Sequence, residues 1–118
     1  MTELELTREI VKVLDNKKAI DIRVLEISEH SIVADYFVIV SGTSNTHVKA
    51  LADEVDYELG LKDVHPYHIE GKATGWILLD YSSVLVHIFT GETRDYYNLE
   101  RLWQDAPEVD ISDIVTED

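Results

Sequence analysis

Cysteine is absent from this chain of 118 residues. Without thiols there is no disulfide framework, no thiolate nucleophile and no cysteine-type zinc site. No apolar run approaches the roughly 20 residues that a helix needs to span a bilayer, so no membrane role is expected. Residues 1–5 are acidic and lead straight into an amphipathic pattern, unlike a signal or transit peptide. We therefore expect a cytoplasmic protein.

Basic residues are scarce, with 10 Lys and Arg against 24 Asp and Glu and a net charge of −14. Residues 104–118 hold six acidic groups and no basic one, so the body keeps a charge of −8. Proteins that bind bare nucleic acid normally present a basic surface to the phosphates. Direct nucleic-acid binding as the main activity is therefore disfavoured, and a basic protein partner fits better. The alternative that the acidity only maintains solubility stays open.

The first half of the chain alternates helical and extended patterns. Thr2 and Glu5 have the spacing of a capping box, and the apolar residues that follow predict a helix over about residues 3–15. Residues 20–24 alternate apolar with charged side chains, which indicates an edge or half-covered strand. Residues 36–40 are continuously apolar and predict a strand covered on both faces, near the sheet centre.

The second half adds a helix, a hairpin and a short helix. A turn at residues 41–44 precedes an apolar stripe at helical spacing that ends at Gly60. A short strand is expected around Tyr67 to Ile69, then a hairpin from two apolar runs, then a short helix carrying Leu99, Leu102 and Trp103. The resulting fold class is α/β, with helices packed on a mixed sheet of about five strands. Residues 1–106 are predicted as one domain, and residues 107–118 as an acidic tail that is disordered or loosely docked.

Three blocks of the sequence match a known family in the same order. They are Ala34-Asp35-Tyr36-Phe37-Val38-Ile39-Val40-Ser41-Gly42, then Glu70-Gly71, then the aromatic-rich stretch from Gly75 to Trp103. Over about residues 4–104 the chain resembles the ribosomal silencing factor (Iojap-like) family.

The resemblance implies a nucleotidyltransferase-like α/β topology, no enzymatic activity and no cofactor. It also implies binding to the basic ribosomal protein L-fourteen of the large ribosomal subunit, which blocks joining of the small subunit and represses translation. Whether the free protein is a homodimer is left open.

Five residues are candidates for the partner-binding site. Trp76 is the expected anchor, and Asp80 and Glu70 are expected to accept hydrogen bonds from Lys or Arg of the partner. Tyr81 and His87 are expected as supporting contacts. Aromatic anchors with a charged rim are typical of protein interfaces, although most aromatic residues in a small domain belong to the core.

The alternative function is a nucleotidyltransferase-like enzyme with an incomplete or displaced metal-binding carboxylate pair. Such enzymes need two carboxylates two residues apart on a strand, because metal-bound triphosphate requires more than one anionic ligand. Asp80 has Leu78 before it and Ser82 after it at that spacing, so the pair is missing. The turn at residues 41–44 is explained by helix capping alone, and His65 and His68 are better explained as loop histidines than as metal ligands. A protein-binding adaptor with a partner outside the ribosome is a third possibility.

Overall fold

Two long helices cover one face of a five-stranded mixed sheet. In the computed structural model, which describes residues 1–71 and 75–116, the strands lie in the order β1-β2-β5-β4-β3. Strands β2 and β5 are parallel and the other neighbouring pairs are antiparallel. The elements are α1 (Glu3–Asn16), β1 (Ile20–Glu26), β2 (Tyr36–Gly42), α2 (Asn45–Gly60), β3 (His68–Glu70), β4 (Trp76–Asp80), β5 (Val84–Thr90), α3 (Gly91–Tyr97) and α4 (Leu99–Leu102). The predicted fold class is confirmed. No helix of the described ranges is long and apolar enough to cross a bilayer.

The amino-terminal helix begins at the predicted capping box. The Thr2 hydroxyl accepts a hydrogen bond from the Glu5 N–H at 3.1 Å, and the Glu5 carboxylate accepts one from the Thr2 N–H at 3.4 Å. The apolar stripe of α1 then buries Ile10, Val11 and Leu14 against the sheet. These contacts fix which sheet face is the helix-covered face.

The centre of the sheet consists of the most apolar strands. β5 is the middle strand and β2 lies beside it, and residues 37–42 of β2 are all buried. A parallel strand that is covered on both faces has a continuous run of apolar residues, and residues 36–40 form such a run. The alternating β1 lies at the edge of the five strands, also as predicted.

The opposite sheet face is covered only in part, by the segment after β5. The expected single helix is divided into α3 and α4 by Asn98, whose φ of 46° is left-handed and ends α3. Leu99 and Trp103 then pack on the sheet, and the Trp103 ring meets the Phe37 ring at 5.2 Å between centroids. The asparagine therefore turns the chain back onto this second face.

The carboxyl-terminal segment, residues 107–116, docks on the domain, and its first three residues pair with the edge of β1. The Glu26 N–H donates to the Pro107 carbonyl at 2.8 Å, and the Val109 N–H donates to the Val24 carbonyl at 2.8 Å. Ile111 is buried in the helix-side core. Residues 107–116 of the predicted tail therefore dock against the domain, because the segment pairs with an edge strand that would otherwise expose its backbone groups. The domain boundary at residue 106 stays a prediction. The last two residues of the tail and residues 72–74, between β3 and β4 in the chain, lie outside the described residues.

Candidate functional site

The pleat of β4 sorts the candidate site residues onto opposite sheet faces. Ile77 and Leu79 point toward the helices and are buried, whereas Trp76, Leu78 and Asp80 point to the half-covered face and stay partly exposed. The half-exposed surface formed by Trp76, Leu78, Asp80 and the neighbouring Tyr97 is called the aromatic face below.

Trp76 is held in place by rings on β5 and α3. Its ring stacks on Phe89 at 5.0 Å between centroids and tilts against Tyr97 at 4.6 Å. Tyr97 in turn meets the highly exposed Tyr96 edge to face at 5.1 Å. Offset and edge-to-face pairs of this kind fix ring orientation. Trp76 is thus a preordered aromatic side chain with part of its surface open to solvent.

His87 lies beneath Trp76 and is only 5% exposed. The Trp76 Nε1–H donates a hydrogen bond to His87 Nδ1 at 3.3 Å, so the imidazole proton is on Nε2 in the neutral form. The Phe37 edge packs on the ring at 4.6 Å between centroids. Burial in these apolar surroundings lowers the His87 pKa to about 4. His87 therefore supports Trp76 from below, and the predicted direct contact with a partner is closed off by its burial.

Strand register brings the acidic candidates onto the same face. Glu70 is paired with Leu78, and His68 with Asp80, across β3 and β4, so their side chains share the half-covered face. Glu70 is exposed at the sheet edge, and Asp80 is partly buried with Oδ1 accepting the Ser82 N–H at 2.7 Å. Asp80 thus lies at the end of the aromatic face away from Trp76, and Glu70 lies beside Leu78 at the sheet edge.

Tyr81 does not belong to this surface. Its side chain is 5% exposed and packs in the cluster beneath α1 and α2. Burial raises the pKa of its hydroxyl, and the hydroxyl has no hydrogen-bond partner within the described residues. Strand alternation turns residue 81 toward the helices, so the structure does not bring Tyr81 together with the other candidates, and its contact with a partner stays a prediction. Of the five candidates, the structure groups Trp76, Asp80, Glu70 and His87 on one face.

The predicted turn at residues 41–44 works as a helix cap. The Ser44 hydroxyl accepts the His47 N–H at 3.1 Å, and His47 Nδ1 accepts the Thr43 N–H at 2.9 Å. A Cβ on Gly42 would lie 3.0 Å from the backbone nitrogen of Val48, so the turn packs directly on α2. The Thr43 N–H and the Ser44 hydroxyl are therefore both used within the cap of α2.

A buried arginine, missed by sequence reasoning, ties α3 to the ends of β1 and β2. Arg94 Nη1 donates to the Asp21 carbonyl at 2.7 Å and to the Ser41 hydroxyl at 2.9 Å, while Nε donates to Glu100 at 3.1 Å. In the sequence Arg94 stands between Thr93 and Asp95, and nothing in that pattern distinguishes it from an exposed charge. These bonds position α3, which carries Tyr97. Across the described ranges, no group of three His, Asp or Glu side chains is arranged to hold a metal ion.

The fold and the aromatic face define a small mixed-sheet α/β domain with one half-covered sheet face. A crystal structure of a Chromobacterium violaceum protein matches it with a TM-score of 0.85 at 32% sequence identity, covering 88% of each chain. The family model described as "Ribosomal silencing factor during starvation" matches residues 1–118. The chain belongs to this ribosomal silencing factor family, and the family prediction from sequence is confirmed.

Two relatives illustrate the family. "Ribosomal silencing factor RsfS" of Halalkalibacterium halodurans is 35% identical over 117 residues, which is 98% of this chain and 100% of the relative. "Mitochondrial assembly of ribosomal large subunit protein 1" of Mus musculus is 36% identical over 98 residues, covering 80% of this chain and 43% of that longer protein. The family supports a role in ribosome-associated regulation of translation.

Proposed function

We propose that this protein binds the large ribosomal subunit through the basic ribosomal protein L-fourteen and blocks joining of the small subunit. The bound protein occupies space that the small subunit needs, so translation is repressed by exclusion with no bond made or broken. The observation that carries the proposal is the aromatic face, where a preordered Trp76 shares one sheet face with the carboxylates of Glu70 and Asp80 on an acidic chain. The name of the mouse relative refers to the large ribosomal subunit, which favours the large subunit over the small one as the binding partner.

Trp76 is the anchor of the proposed contact. A partly exposed ring that is already packed on Phe89 and Tyr97 loses little conformational freedom when a partner covers it. Tryptophan also contributes much of the binding energy where it is buried at the centre of an interface. His87 holds the indole N–H from below, so its contribution to binding is indirect.

Asp80 and Glu70 supply the charge that a basic partner would meet. Asp80 Oδ1 is bound to the Ser82 N–H, which fixes the carboxylate direction before the partner arrives. Opposite charges across an interface raise the association rate and select the partner, and a pair that becomes desolvated is costly to break. An acidic chain approaching a basic ribosomal protein satisfies this condition.

The test is sedimentation of the purified protein with separated subunits and with joined ribosomes. We expect binding to the large subunit, and none to the small subunit or to joined ribosomes, whose contact site would be covered. Equal binding to all three species contradicts the proposal.

The site is tested with Asp80→Asn, because asparagine can still accept the Ser82 N–H and the fold should be kept. We expect its binding to the large subunit to weaken by about 1–3 kcal/mol, with a smaller deficit at high salt. Asp53→Asn is the matched control, since Asp53 lies on α2 with a 65% exposed side chain. If both variants bind like the parent, the aromatic face is not the contact surface.

A further inference from the structure

A groove runs beside the aromatic face, between the tip of the β4–β5 hairpin and the loop before β2. It has a volume of about 460 Å³ and is open to solvent, and its lining residues are Val33, Tyr67, His68, Leu78, Asp80, Ser82 and Leu85. Leu78 and Asp80 belong to the aromatic face as well, so the two surfaces are continuous. The lateral groove, as it is called below, contains residues that sequence reasoning did not connect with binding.

Its rim exposes large apolar side chains. Val33 is 69% exposed and Tyr67 is 73% exposed, and Ile32, which precedes Val33 in the chain, is fully exposed. Single exposed apolar residues are ordinary, but Val33 and Tyr67 line one groove with Ile32 next to Val33 in the chain, and exposed apolar side chains grouped in this way are typical of a surface that contacts a partner. The patch therefore extends the apolar surface past Leu78 toward the hairpin tip.

The loop that carries Ile32 and Val33 is anchored at both ends. Ile27 is buried and its N–H donates to the Asp35 carbonyl at 2.8 Å, while the Asp35 N–H donates to the Ser83 carbonyl at 2.8 Å. The Val33 N–H also donates to the Ser31 hydroxyl at 3.0 Å. The exposed side chains are thus presented by a braced loop, which lowers the entropy that a partner must remove on binding.

The groove combines an apolar floor with one carboxylate. Leu78 and Leu85 form the floor, and Asp80 supplies a negative charge. His68, which is paired with Asp80 across β3 and β4, also lines the groove, and no Lys or Arg is among the lining residues that the structure describes. An anion would be repelled by Asp80. A long cationic side chain fits both parts, because its methylene stem packs on apolar surface while its charged end meets the carboxylate.

We propose that the lateral groove receives an arginine or lysine side chain of the protein partner. The stem lies on Leu78 and Leu85, the cation meets Asp80 and the Tyr67 ring, and Val33 closes the side of the groove. The inference rests on the proposed function and names the partner chemistry at one part of its site.

The test places a competing cation at the groove by Val33→Lys. The matched control is Leu61→Lys, since Leu61 is 66% exposed and follows α2 on the helix-covered side, so charge and exposure change equally. We expect Val33→Lys to weaken binding to purified large subunits about tenfold or more, and Leu61→Lys to change it less than about twofold. Tyr67→Ala, in which the Tyr67 N–H keeps its bond to the Asp80 carbonyl, should also weaken binding.

The outcomes separate the two proposals. If the parent binds large subunits and Val33→Lys and Tyr67→Ala bind equally well, the groove inference is wrong and the proposed function stands. If Val33→Lys and Leu61→Lys lose binding to the same extent, the effect is one of net charge and the groove inference is again wrong. If the parent does not bind large subunits, the proposed function fails, and the groove inference falls with it. Thermal melts of each variant check that the fold is retained.

Discussion

The burial of His87 makes this protein sensitive to acid in a defined pH window. Protonating the ring would break the hydrogen bond from Trp76 to Nδ1 and place a charge against Phe37 and Phe89. Burial of the ring away from water lowers the His87 pKa from 6.5 to about 4 in the folded protein. Between these values the unfolded chain binds more protons than the folded one, so stability is present above pH 6.5 and is lost as the pH falls toward 4.

The size of the loss in stability follows from how far the His87 pKa is lowered. A fall from 6.5 to about 4 corresponds to about 3 kcal/mol of unfolding free energy, of which about 2 kcal/mol is lost between pH 7 and pH 5. The perturbation is His87→Gln, which removes the titrating group while its side-chain carbonyl can still accept the Trp76 N–H. All other ionisable groups are common to both proteins, so their contributions cancel in the difference.

The assay is urea denaturation of the parent and His87→Gln at pH 7, 6 and 5, followed by circular dichroism. We expect the variant to be the less stable at pH 7, because the imidazole packing is lost, and the stability difference to shrink by about 2 kcal/mol at pH 5. Parallel stability curves for the two proteins would refute the reasoning, since they would mean that His87 titrates alike in the folded and unfolded states.

Two further predictions concern residues that the structure reassigned. Tyr81→Phe removes a buried hydroxyl that lacks a hydrogen-bond partner in the described residues. The variant should therefore be as stable as the parent or more stable by about 1 kcal/mol, and its binding to large subunits should be unchanged. Weakened binding without loss of stability would mean that Tyr81 belongs to the interface. Ile111→Ala should cost about 2 kcal/mol in a thermal melt, because Ile111 is 8% exposed and packs on the helix-side core. A melt identical to the parent's would mean that residues 107–116 do not dock in solution.

Most of the secondary structure of this protein could be predicted from local sequence patterns. The capping box at Thr2 and Glu5, the apolar stripe that ends at Gly60 and the continuous run in β2 each depend on neighbours within a few residues. The family could also be predicted from the sequence, because each block that matches it is a contiguous stretch of the chain. The break at Asn98 was missed because the apolar spacing continues across it, and only the left-handed backbone reveals the turn.

The composition of the candidate site was decided by tertiary structure. Trp76, Asp80 and Tyr81 lie within six residues, and it is the pleat of β4 that sends Trp76 and Asp80 to one face and Tyr81 to the other. His87 reaches the same face through cross-strand register, and its depth there depends on rings from other elements.

The docking of the carboxyl-terminal segment likewise could not be predicted from the sequence. An edge strand accepts any backbone with free donors and acceptors, so the pairing of residues 107–109 with β1 carries no side-chain period to detect. By itself, the sequence determined which residues form helices and strands, because those choices depend on near neighbours. Which face each side chain meets, how deeply His87 is buried and what covers the β1 edge depend on segments distant in the chain, and only the folded structure brings those segments together.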